Sequence, residues 1–177
     1  MAQASKGKLP FVVQPKAEKF IDVIGTEESG KIEIERRGYL TVSEKAIVQG
    51  SISGDPTMSD LYRLGSKIAK EKKKKAGNVV KDMMQAERPA YMADYEGEIT
   101  DRLMALIAFQ EKLTIVQATA VLMSRVDANW TVEQTFELHP DLVQSLAEFY
   151  SQEESRSVSR AVSEKVGEQG GGVVEGK

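Results

Sequence analysis

A chain of 177 residues with 41% hydrophobic and 29% charged side chains can bury a real but modest core, in one domain or a small head on a helical body. Its net charge of −3 argues against general nucleic-acid binding and leaves room for a local basic patch only. The absence of cysteine excludes disulfides, thiolate metal sites and a cysteine nucleophile.

Met1 to Lys8 contain no apolar run of signal-peptide length and read as a flexible arm. Leu9 to Val13 (LPFVV), bounded by Pro10 and Pro15, read as an edge strand. In the stretch from Phe20 to Glu44, Ile32 and Ile34 alternate with Glu33 and Glu35. That period of two marks a strand, because neighbouring side chains face opposite sides of a sheet. Gly25 and Gly30 bracket the intervening TEES turn, so a β-hairpin is expected, its second strand ending at Gly38. Thr41-Val42-Ser43-Glu44 has the form of a capping box and starts a short helix to about Gln49. Residues 9–50 thus form a hairpin-plus-helix head, and Gly50 to Pro56 (GSISGDP) a linker.

Residues 57–155 read as a helical body. Leu61, Leu64 and Ile68 form one helical stripe, which Lys70 to Lys75 interrupt and Val79, Val80, Met83 and Met84 resume. Gly77-Asn78 is the expected break, and Arg88-Pro89 the end of this helix. A long helical segment follows from Glu98, with its richest apolar part at Thr114 to Val126. Asp127-Ala128-Asn129 breaks the pattern, and Thr131 to Gln134 form a second capping box. Pro140 opens the last helix, striped by Leu142, Leu146 and Phe149. Residues 156–177, ending in the glycine-rich run, read as a flexible tail. The fold class is therefore mainly α: a helical body with a small N-terminal β-hairpin.

No catalytic constellation, cofactor loop or metal-ligand spacing stands out. His139, the single histidine, sits at a helix start, where a capping role outweighs general-base chemistry. The acidic pairs Glu27-Glu28 and Glu153-Glu154 lack calcium-loop spacing. The basic patch Lys70, Lys72, Lys73, Lys74 and Lys75 can attract phosphate or an acidic partner, or simply face solvent. No aromatic residue interleaves with it, which weakens a single-strand stacking role. Candidate partner contacts are Trp130, Phe136, Leu142, Leu146, Phe149, Met83 and Met84, residues that can equally build the core. The apolar-rich run Leu103 to Phe109 falls short of a membrane span, so no membrane association is expected and a cytoplasmic location is.

Gly25 to Gly30, Ile32 to Leu40 (IEIERRGYL) and Thr41 to Lys45 resemble the N-terminal part of tail assembly chaperones of long-tailed bacteriophages. Arg125-Val126-Asp127, Trp130-Thr131, Leu138 to Tyr150 (LHPDLVQSLAEFY) and Glu153 resemble their helical ending. The Lys70–Lys75 run stands outside the resemblance. The resemblance implies a non-enzymatic protein that binds the tape-measure protein, keeps its long helix soluble and recruits tail-tube subunits, in the host cell cytoplasm. It also implies that a longer frameshifted form can exist. The alternatives are a permanent tail or baseplate subunit of the virion, a nucleic-acid-binding accessory protein acting through the lysines, and an enzyme working with carboxylates alone. Self-association through the hairpin edge is a further expectation.

Overall fold

The computed structural model describes residues 20–169, with side chains described to residue 159. The sequence-derived arm, the LPFVV strand and the glycine-rich end lie outside these residues.

β1 (Phe20–Thr26) and β2 (Gly30–Arg36) pair antiparallel, with Ile24 opposite Ile32 and Asp22 opposite Ile34. The turn closes on itself. Thr26 N–H donates to Ser29 Oγ at 3.0 Å, and Ser29 N–H to Thr26 Oγ1 at 3.1 Å. Gly25 has a φ of +96°, and a Cβ there would lie 2.1 Å from the Gly30 carbonyl oxygen. Only glycine fits that position. One face of the hairpin carries Ile24, Ile32 and Ile34 onto the body. Ile21 and Val23, on the other face, are exposed.

Helix α1 (Val42–Ile52) starts at the expected capping box: Glu44 N–H donates to Thr41 Oγ1 at 3.1 Å, and Thr41 N–H to Glu44 Oε2 at 2.6 Å. Helix α2 (Thr57–Glu71) is capped by Asp55, whose Oδ1 accepts from Thr57 N–H at 3.0 Å. Its end corrects the expected break. The chain leaves the helix not at Gly77-Asn78 but at Lys73, which takes a φ of +52°. Lys74 N–H donates back to the Ala69 carbonyl at 2.8 Å, the six-residue closure that terminates a helix around a left-handed residue. Gly77 and Asn78 lie inside α3 (Ala76–Met83). Gly65 lets α3 approach α2, since a Cβ there would lie 2.4 Å from Val80 Cγ2.

After a 3-10 turn (Ala90–Tyr95), α4 (Glu96–Arg125) runs unbroken for 30 residues, about 45 Å. It carries two cores. Its first half packs Ile99 and Leu106 with Leu61, Ile68, Val79, Met83 and Met92. Its second half packs Val116, Ala120, Val121 and Leu122 with Ile34, Val48, Leu146 and Phe149. The first half buries one stripe, whereas the consecutive residues Ala118 to Leu122 are all buried, so the second half is covered on every side and α4 as a whole shows no single apolar stripe. The helical run Ala90–Arg125 is long and apolar enough to cross a membrane by length and composition alone. The Leu103–Phe109 run understated that apolar length. In the fold, much of the run's apolar surface packs against α1, α2 and α6.

Helix α5 (Val132–Phe136) starts at the second capping box, with Gln134 N–H donating to Thr131 Oγ1 at 3.3 Å and Thr131 N–H to Gln134 Oε1 at 2.9 Å. Helix α6 (Pro140–Gln169) follows at once. It continues well past residue 155, where a flexible tail was expected. A helix needs no apolar stripe to continue once it is nucleated, and Ser155 and Ser157 bond back to carbonyls four residues earlier.

Candidate partner-binding surface

Two features organise the C-terminal half: a buried polar centre that holds the framework, and an apolar ridge that the framework leaves uncovered.

The centre is Arg125, in the last turn of α4, with its side chain fully buried. Its Nε donates to Glu44 Oε1 at 2.6 Å. Nη1 donates to the Glu35 carbonyl at 2.9 Å and to Glu153 Oε2 at 3.0 Å. Nη2 donates to the Tyr39 carbonyl at 3.2 Å and to Glu44 Oε2 at 3.3 Å. All five guanidinium N–H groups are thus taken. Glu153 Oε2 also accepts from the backbone N–H groups of Arg37 (3.0 Å) and Gly38 (2.9 Å), and its Oε1 from Arg156 (2.8 Å). Burial pushes the Glu153 carboxyl up, but the bonds from Arg125, Arg37 and Arg156 outweigh it and hold the group below its usual range. Burial likewise opposes the Arg125 charge, and the bonds to Glu44 and Glu153 more than offset it. Every member is satisfied within the chain, and the geometry offers no reacting atom a place. The centre therefore locks the hairpin end, α1, α4 and α6 together. No spacing in the sequence marks these residues as partners.

A smaller buried network fixes α5. Thr135 Oγ1 lies 2.8 Å from Thr119 Oγ1 and accepts from Trp130 Nε1 at 2.9 Å. Trp130 is half-buried and packed against the core. With Thr135 pinned inward, the helical turn places Phe136 outward, where it is 66% exposed. Clefts of about 340 and 500 Å³ open on its two sides, one toward Leu138 and Val143, the other toward Ala108, Val116 and Val132. Ile115 of α4 lines both. Met104 and Ile107, also exposed, stand two turns and one turn before Glu111 on the same helix face. Met104, Ile107, Ala108, Glu111 and Ile115 keep helical spacing. That repeat is the signal for this surface in the sequence.

The seven candidate contacts therefore separate. Leu142, Leu146, Phe149 and Met83 are buried in the two cores, which corrects their assignment: side chains at 0–3% exposure offer a partner no surface. Trp130 supports α5 from below. Phe136 and Met84 are exposed, but far apart in the fold, Met84 closing α3 beside the core on the first half of α4.

The lysine run divides too. Lys72 pairs with Asp94 at 2.9 Å and lies over the Tyr95 ring, and Lys74 lies 4.5 Å from the centre of the Tyr91 ring. The aromatic residues missing from the run in sequence are thus supplied by the 3-10 turn, beneath the lysines. Their hydroxyls donate to Asp82 and Glu71. Burial, then the bond to Asp82, pushes the Tyr91 phenol to about 12; the bond to Glu71, then burial, does the same for Tyr95. Lys73 and Lys75 terminate α2 and open α3, and Lys70 is exposed on α2. The patch does not merge with the Phe136 surface. His139 caps α6, its Nδ1 accepting from Asp141 N–H at 3.2 Å. Among the described residues no group of three His, Asp or Glu side chains is placed to hold a metal ion.

No protein-family model, curated protein or solved structure matches this chain.

Proposed function

We propose that the chain is a non-enzymatic binding protein acting as a phage tail assembly chaperone: it covers helical segments of the tape-measure protein with its Phe136 surface and recruits tail-tube subunits around them. The observation that supports this most is the exposed ridge of Phe136 between two open apolar clefts, held on a framework locked by Arg125. A groove of that kind suits the apolar face of an amphipathic helix. Burying the exposed two thirds of Phe136 alone stabilises a complex by about 1–2 kcal/mol, scaled from about 1.5–3 kcal/mol for burying such a side chain completely. The resemblance of residues 25–45 and 125–153 to tail assembly chaperones supplies the partner.

The test is co-expression with the long helical polypeptide encoded in the neighbouring reading frame. The partner stays soluble and co-elutes with the chain, and Phe136→Asp abolishes both effects while the circular dichroism of the chain is unchanged. A partner that aggregates equally with and without the chain overturns the reading. Mass analysis of purified particles separates the chaperone, which is absent from them, from a virion subunit, which is present.

A further inference from the structure

Thr114 and Gln144 link the cleft on the Leu138 and Val143 side of Phe136 to a third, which runs on between α4 and α6 to Ser151 and Gln152. These two form one furrow along α6 from Pro140 to Gln152, roughly 18 Å at helical rise, and the Val132 cleft meets it at Glu111, Ile115 and Phe136. That is the length of about twelve helical residues. Its floor is apolar near Phe136: Ile115, Leu138, Val143 and, across the ridge, Val132 and Val116. Its edges carry one sign of charge. Glu111 and Glu148 line it directly. Glu133 on α5 and Glu137 just past its end lie near Phe136 in the chain, and Asp141 stands in the first turn of α6, all exposed. The one cation among the lining residues, Lys112, sits 3.7 Å from Asp55, which offsets it. Glu133 is held ionised by its own backbone N–H and by the Thr131 hydroxyl.

We propose that this furrow selects an amphipathic helix whose apolar stripe is flanked by lysine or arginine. The inference rests on the Phe136 reading above and adds the chemistry of the partner. An apolar stripe satisfies the floor, and basic flanks meet the carboxylates of the rim. Acidic flanks would place like charges side by side, so the rim rejects them as well as favouring the basic partner. Exposed pairs are individually weak, but three or four together amount to about a tenfold preference at low salt.

Two designed 18-residue helical peptides test this, identical in their leucine stripe and carrying either lysine or glutamate at the flanking positions. Binding to the full chain is followed by calorimetry and by the fluorescence of Trp130, the sole tryptophan, which sits behind α5. The lysine-flanked peptide binds about tenfold more tightly at 50 mM salt, and the advantage shrinks at 300 mM as screening sets in. Glu111→Lys with Glu137→Lys reverses the preference, and Phe136→Asp weakens both peptides. Equal affinities, or a preference that the double charge reversal leaves untouched, overturn the basic-partner inference while leaving the apolar docking surface standing. Failure of both peptides to bind, or binding indifferent to Phe136→Asp, overturns the docking surface itself.

Discussion

Arg125 Nε donates to Glu44 Oε1 at 2.6 Å, joining the last turn of α4 to the first turn of α1 across 81 residues of chain. Glu44 is also the third residue of α1 and closes its capping box, so the same carboxylate serves a local cap and a long-range lock. Arg125→Met leaves the buried Glu44 carboxylate without its cation and Glu153 with Arg156 alone. The expected loss is about 3–5 kcal/mol in urea unfolding. Arg125→Lys recovers only part of it, because an ammonium has three donors where five are used.

Acid weakens the same centre. The Glu153 carboxyl titrates lower in the folded chain than its ordinary value of 4.5, so the folded state binds fewer protons than the unfolded one around that pH. The stabilisation is complete above about pH 5 and is lost as the pH falls below 4.5 through the folded value. Glu153→Gln lowers the urea midpoint at pH 7 and flattens its decline under acid. A midpoint that falls just as steeply in the variant would remove Glu153 from the acid response.

Gly65 sets the spacing of α2 and α3. Gly65→Ala drives a methyl into Val80, 2.4 Å away, and is expected to cost about 1–3 kcal/mol despite the better helix propensity of alanine. The double variant with Val80→Ala makes room for the methyl. A thermodynamic cycle over the two sites should show a favourable coupling.

Lys73 occupies a backbone conformation that suits glycine. Lys73→Gly relieves left-handed strain of roughly 1 kcal/mol, partly offset by the greater freedom of the unfolded chain. Thermal unfolding should show a small rise in Tm or none. A clear drop would mean that the lysine side chain holds the α2–α3 corner.

Phe136 and Leu146 were expected to act alike and should behave oppositely. Leu146 is fully buried, and Leu146→Ala is expected to cost about 2–5 kcal/mol of stability. Phe136→Ala, at an exposed position, should change stability by no more than about 0.5 kcal/mol while removing partner binding.

The features legible in the sequence are those whose physics spans a few residues. The hairpin, the Thr41 and Thr131 capping boxes and the start of α6 at Pro140 each depend on bonds between near neighbours, and the residues name them directly. Apolar spacing also located the helical body. It left open which apolar residue would be buried. Leu142 and Phe136 look equivalent in sequence, and only the inward hydrogen bonds of Thr135 to Thr119 and Trp130 turn Phe136 outward. Arg125, Glu44 and Glu153 carried no mark of their meeting, because a charge reveals its partner only once the chain has brought the two together. Packing decided the remainder: α4 serves two cores, one along a single stripe and one around its whole circumference, and the furrow beside Phe136 is the surface that neither core covers.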